Sequence, residues 1–148
     1  MLAYFDIDTQ LDFMVPAGAL YVPGAEKLIP KVAELNRYAA ANGIPVISTM
    51  CAHTEDAAEF KQWPPHCVVG TFGQRKPQST ILEPGKQIIV EKNELDVFSN
   101  PDFLPMLDRM NITECAVYGV LMDYCVGLAA KGLRESGRTV TLRTEAIL

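Results

Sequence analysis

Short apolar runs with strand character alternate with helix-period segments along this whole chain, and that alternation limits the available folds more than any other feature. Residues 2–8 form an apolar run ending in acids, which suits a buried strand. Similar runs recur at 44–50, 87–91, 115–120 and 139–142. Between them, segment 24–42 places Leu28, Val32, Leu35 and Ala39 at helical spacing and is stopped by Asn42-Gly43. Segments 102–110 and 124–135 also read as helices, the second ending at Ser136-Gly137. Strands alternating with helices predict an α/β fold: three α/β/α layers around a mainly parallel sheet covered on both faces. No internal repeat, low-complexity stretch or linker interrupts the pattern, so 1–148 reads as a single domain.

Bulk properties remove several function classes. The 148 residues carry a net charge of -5 and have no Lys/Arg cluster, which argues against nucleic acid as a partner. No segment is apolar over the length a bilayer demands, so no membrane association is expected. Residues 1–6 lack the basic start and cleavage pattern of a secretory signal. The four cysteines, at 51, 67, 115 and 125, show no disulfide-scaffold spacing. Together these features predict a cytoplasmic protein whose cysteines serve packing, metal binding or catalysis.

In open parallel sheets, ligands bind beyond the carboxyl ends of the strands. Four such ends here carry reactive groups: Asp8 after the first strand, Cys51 and His53 after the second, Lys92 after the third, Cys125 after the fourth. They are scattered in sequence, and a parallel sheet would gather them along one edge. Cys125 is expected in the first turn of a helix, where unpaired N–H groups and the helix dipole favour a thiolate and can hold an oxyanion. Asp8 could serve as its general base, with Lys92 holding the carboxylate ionised. Taken alone, each residue has a plainer explanation: a packed core cysteine, a capping aspartate, a solvated lysine.

The long irregular stretch 51–84 contains Glu59, Trp63 and His66, and loops of that length are usually functional. Cys51 and His53, two residues apart at a strand end, would share one face. Cys, His, Glu and His are all competent zinc ligands.

These residues carry a resemblance. The strand running into Asp8-Thr9-Gln10-Leu11-Asp12-Phe13, the Val22-Pro23-Gly24 segment, Lys92 after the third strand, and Gly119 to Val126 with its Asp123-Tyr124-Cys125-Val126 core resemble, in order, the motifs of the isochorismatase-like cysteine hydrolases. Within that family, Trp63-Pro64-Pro65-His66-Cys67 is similar to the nicotinamidases. The resemblance implies an isochorismatase-like hydrolase fold and a catalytic triad of Asp8, Lys92 and Cys125. It also implies a cis peptide between Val120 and Leu121, and an oxyanion hole from the N–H groups of Leu121 and Cys125. Phe13 and Trp63 would flank the substrate ring. A divalent metal, by preference zinc, would be held by Cys51, His53, Glu59 and His66, with no organic cofactor. Cys51 and Glu59 stand where an aspartate and a histidine are usual, and Met122 where a threonine is frequent.

The implied reaction is hydrolysis of a small carboxamide through a cysteine thioester, with nicotinamide giving nicotinate and ammonia. Two alternatives stay open: an amidohydrolase of the same family acting on another small amide or imide, and an inactive member serving as a binding module. Family members continue with a sixth strand and a final helix, whereas this sequence ends at Leu148. A truncated sequence, a shorter domain, or an edge completed by a partner would each account for that. An uncovered edge favours association, so a homo-oligomer is expected.

Overall fold

The computed structural model describes residues 1–148. Five strands, β1 (Leu2–Ile7), β2 (Val46–Cys51), β3 (Gln87–Lys92), β4 (Glu114–Gly119) and β5 (Thr139–Ile147), form one sheet in the order β3-β2-β1-β4-β5. All four pairings are parallel. The chain builds outward from β1 to β3, then crosses back to place β4 on the other side of β1. The gap between β1 and β4 is therefore the point at which the winding reverses, where a crevice opens at the strand ends.

Alternation along β1 divides the core. Ala3, Phe5 and Ile7 face one side with Val117, and there meet α3 (Phe103–Arg109) and α4 (Gly127–Glu135) through Phe103, Leu107, Ala129 and Leu133. Tyr4 faces the other side with Val46, Ala116 and Tyr118, against Val32, Leu35 and Ala39 of α2 (Ile29–Ala41). The predicted three layers and parallel sheet are present. No helix is long and apolar enough to cross a membrane.

The differences are local. The predicted helix 24–42 divides into a 3-10 turn, Ala25–Leu28, and α2, with Pro30 in the first turn of the α-helix. Proline is tolerated there because the first N–H groups of a helix have no intrahelical partner. A one-turn helix, α1 (Leu11–Met14), follows β1. The predicted helix 124–135 begins instead as a π-turn, Met122–Val126, and becomes α-helical only at Gly127. The last strand runs on to Ile147 past an irregularity in its pairing with β4.

The connection between β2 and β3 is irregular, yet it is anchored at several points. His53 and Val68 form a parallel bridge, with His53 N–H donating to the Cys67 carbonyl and Val69 N–H to that of His53. The Asp12 carboxylate accepts from the N–H groups of Ala19 and Cys67. Lys76 pairs with buried Asp6 at 3.6 Å and donates to Thr9 Oγ1. Asn36 of α2 donates to both Asp6 and the Thr80 carbonyl.

Candidate active site

Asp8 follows β1 with φ of 51°, a left-handed conformation that aspartate tolerates better than most residues. The turn buries its carboxylate completely, so Asp8 is not a solvated turn cap. Thr49 Oγ1 donates to Oδ1 at 2.7 Å, and the Lys92 ammonium lies 2.8 Å from Oδ2. Burial alone would push this carboxyl up. The charge of Lys92 and bonds from Cys125, Lys92 and Thr49 outweigh it, so Asp8 stays ionised and below its ordinary range. Burial likewise opposes the charged form of Lys92, and the Asp8 carboxylate overrides it and keeps the ammonium charged. Lys92 also donates to the carbonyls of Glu94 and Leu95.

Cys125 Sγ stands 3.6 Å from Lys92 Nζ. The structure thus brings Asp8, Lys92 and Cys125 together from three strand ends, as the sequence predicted. It corrects the expected state of the thiol. Cys125 lies in the π-turn rather than in an α-helical first turn. Its pKa is raised well above the ordinary thiol range by the adjoining Cys51 thiol, then by burial and the Asp8 charge, with Lys92 opposing. The direction of that shift favours the thiol over the thiolate, with the Asp8 carboxylate close by.

Cys51 is the second correction. It was expected among the metal ligands, but its Sγ lies 3.5 Å from Lys92 Nζ and 3.7 Å from Asp8 Oδ2. It belongs to the Asp8–Lys92–Cys125 cluster, since Cys51 is the last residue of β2. That places its side chain beside Asp8, while Gln10 clamps its backbone through both N–H and carbonyl.

The peptide bond between Val120 and Leu121 is cis. The Leu121 carbonyl accepts from the N–H groups of Tyr124 and Val126, while its own N–H donates to no group of the chain. Leu121 and Cys125 both line a cavity of about 260 Å³ whose wall is mostly apolar. Phe13 and Trp63 line it as well. The Phe13 ring packs against His66 at 5.5 Å between centroids, and Trp63 meets Tyr124 edge-on at 5.6 Å.

Glu59 and His66 form another wall of the same cavity. The potential ligand atoms of His53, Glu59 and His66 lie within 4.8 Å of one another. His53 Nδ1 is 3.1 Å from the Asn93 carbonyl, and His66 Nδ1 is 2.8 Å from that of Pro64. A carbonyl can only accept, so each Nδ1 carries a proton and each Nε2 is directed at Glu59. His53 Nε2 and Glu59 Oε1 are 2.9 Å apart, yet both are buried without a well-oriented hydrogen bond. Burial pushes the Glu59 carboxyl up, and the two imidazoles facing it, His53 and His66, outweigh that and hold it to about 2. Two imidazoles and a carboxylate converging in this way fit a divalent cation. A His₂Glu set that leaves one position open toward a cavity is the donor pattern of catalytic zinc sites.

The sequence model of the isochorismatase domain matches residues 3–148. The chain belongs to the isochorismatase family. It is 29% identical to a streptothricin hydrolase of Streptomyces noursei over 95% of this chain and 47% of that protein, so it spans about half that relative's length. It is 25% identical to the nicotinamidase of Saccharomyces cerevisiae, covering 92% of this chain and 82% of the relative. A solved pyrazinamidase of Pyrococcus horikoshii in complex with zinc superposes with a TM-score of 0.90 at 29% identity, covering 99% of this chain and 85% of that one.

Several site residues had escaped sequence reasoning. Tyr124, Leu95 and Tyr21 line the cavity. Asn93 fixes the His53 tautomer, and Thr49 orients Asp8. Tyr124 and Asn93 each adjoin a residue already singled out, so proximity to Cys125 and Lys92 was the available signal.

Proposed function

We propose that this chain hydrolyses a small carboxamide through a thioester on Cys125, with nicotinamide as the substrate. The observation that carries the reading is the joining of two groups in one apolar cavity: the Asp8–Lys92–Cys125 cluster on one side and the His53–Glu59–His66 set on the other. A flat ring between Phe13 and Trp63 would present its carboxamide to the thiol and its ring nitrogen to the His₂Glu set.

Asp8 takes the Cys125 proton as Sγ attacks the carboxamide carbon. The oxyanion is met by the N–H groups of Leu121 and Cys125. Lys92 stays charged throughout and balances the anionic cluster. Asp8 returns the proton to the departing ammonia, then takes one from the water that cleaves the thioester. A divalent cation held by His53, Glu59 and His66 would supply a Lewis-acid contact to the substrate ring, orienting the amide. The nicotinamidase relative and the zinc-bound pyrazinamidase support this reading.

A second reading, an amidohydrolase of another small cyclic amide, is favoured by one observation. Cys51 stands beside the nucleophile where nicotinamidases have an aspartate, and 29% identity to a streptothricin hydrolase accords with it. Ammonia release from nicotinamide by the purified, zinc-supplemented protein tests the first reading. Cys125→Ala should abolish release while the circular dichroism spectrum is unchanged. Full activity in Cys125→Ala sinks the mechanism. No release by folded wild-type protein, together with turnover of another small amide, establishes the second reading.

A further inference from the structure

The proposed hydrolysis leaves one thiol of the cluster unused. Cys51 is buried, yet it lines the cavity, as does Cys125. One ammonium, that of Lys92, touches both sulfurs, at 3.5 Å and 3.6 Å. Cys51 Sγ also lies 3.7 Å from Asp8 Oδ2, the carboxylate paired with that same ammonium at 2.8 Å. A third free thiol, that of Cys67, is also buried. No disulfide joins any of them.

We propose that Cys51 is the resolving thiol for oxidation of Cys125, so that a small peroxide converts the pair to a reversible Cys51–Cys125 disulfide. The proposal uses the thiol chemistry of Cys125 and does not depend on which amide is the substrate. Cys125 lies at the wall of a small cavity and is 8% exposed, which admits a molecule the size of hydrogen peroxide far more readily than a bulky external thiol. Any sulfenic acid formed there is poorly placed for rescue from outside. Cys51 is already beside it, so closure is intramolecular and gains the advantage of proximity.

The chemistry balances with the groups present. Asp8 accepts the Cys125 proton, and the sulfur attacks one peroxide oxygen. The O–O bond breaks, and the second oxygen leaves with that proton as water. Cys125 is oxidised by two electrons to the sulfenic acid, and the peroxide is reduced by two. Cys51 then gives its proton to Asp8, whose Oδ2 lies 3.7 Å from its sulfur. The Cys51 sulfur attacks the sulfenic sulfur, the S–S bond forms, the S–O bond breaks, and hydroxide leaves with the proton as a second water. The product blocks the nucleophile and is restored by a dithiol reductant. Without Cys51, further peroxide carries Cys125 to sulfinic and sulfonic acids, which no thiol reverses.

The test exposes the full chain to hydrogen peroxide in slight excess, alkylates the remaining thiols, and maps unreduced peptides by mass spectrometry. The expected wild-type product is a cross-linked peptide joining Cys51 to Cys125, with two alkylatable thiols lost and both recovered with dithiothreitol. Cys51→Ser and Cys51→Ala should give no such peptide and should accumulate sulfinic and sulfonic Cys125 that dithiothreitol leaves unchanged. Wild-type protein whose Cys125 reaches the sulfinic state as fast as in the variants overturns the proposal. So does a Cys51–Cys67 cross-link with Cys125 overoxidised, or a Cys125 still free after prolonged peroxide. The wild-type map decides the matter alone if neither variant folds. Because the readout is mass, it stands apart from any failure to hydrolyse nicotinamide.

Discussion

At the scale of single residues, the buried pair of Asp8 and Lys92 does two jobs that can be separated. In the proposed mechanism it supplies the base, and in the fold it keeps two opposite charges paired away from water. Removing one partner leaves the other charge buried and alone, a loss of about 3–5 kcal/mol. Asp8→Asn should therefore melt well below wild type, and any activity that survives should fall by roughly 10²–10⁴. Asp8→Asn combined with Lys92→Met should recover much of the stability and none of the activity. Such an outcome separates the catalytic role from the structural one. The pH dependence follows from the direction of the shift. Asp8 is held below its ordinary 3.8, so its contribution is complete above about that pH and is lost as pH falls through the lower folded value. Thermal melts between about pH 2 and pH 6 should show a steeper acid limb in wild type than in the double variant. A matching limb would mean that Asp8 does not titrate as the geometry implies. Asp8, Lys92 and Cys125 were legible in the sequence because each lies at or just beyond the carboxyl end of a strand. The upward push on the Cys125 thiol was not, because its causes, Cys51, burial and Asp8, come together only in the folded sheet.

At the scale of elements, the placement of the proposed nucleophile, Cys125, depends on a turn that the sequence pattern conceals. Periodicity in 124–135 announces a helix, and nothing in it distinguishes an α start from a π start. The π-turn closes when the Gly127 N–H reaches the Met122 carbonyl, five residues back. A Cβ at Gly127 would stand 2.5 Å from that oxygen, inside any tolerable contact. Gly127→Ala should open the turn and displace both Cys125 and the Leu121 N–H. Misplacement of about 1 Å is enough to cost ~10²-fold in rate. The expected result is that loss in kcat with most of the helical ellipticity retained. Near-wild-type kcat would show that the π geometry is incidental. The β2–β3 connection was equally opaque. Its candidate ligand residues were readable as types, but not the Asn93 and Pro64 carbonyls that set both tautomers. Those contacts depend on how the loop returns over the sheet, which composition does not encode.

For the whole molecule, the strand order explains why the cavity has two chemically different walls. The proposed nucleophile follows β4 beside β1, at the reversal of winding, while the His₂Glu set hangs on the loop that leaves β2. That loop is fixed to the body by Asp12, Gln10 and the Asp6–Lys76 pair, each tying a distant segment to the first strand or its turn. A cation bound by His53, Glu59 and His66 would therefore stabilise the assembled chain as a whole, because the three ligands converge only when the loop is seated. By mass action, zinc at a hundred times its dissociation constant would add about 2.7 kcal/mol. For a domain of this size that is a rise in Tm of several degrees, ~5–10 °C. The rise should be reversed by a chelator and absent in Glu59→Ala, whose folding can be checked by its own melt. Cys51→Ser should keep the rise, because its sulfur lies with Lys92 and Asp8 rather than with the imidazoles. Loss of the zinc effect in Cys51→Ser, with Glu59→Ala still responding, would return Cys51 to the ligand set and displace Glu59 from it.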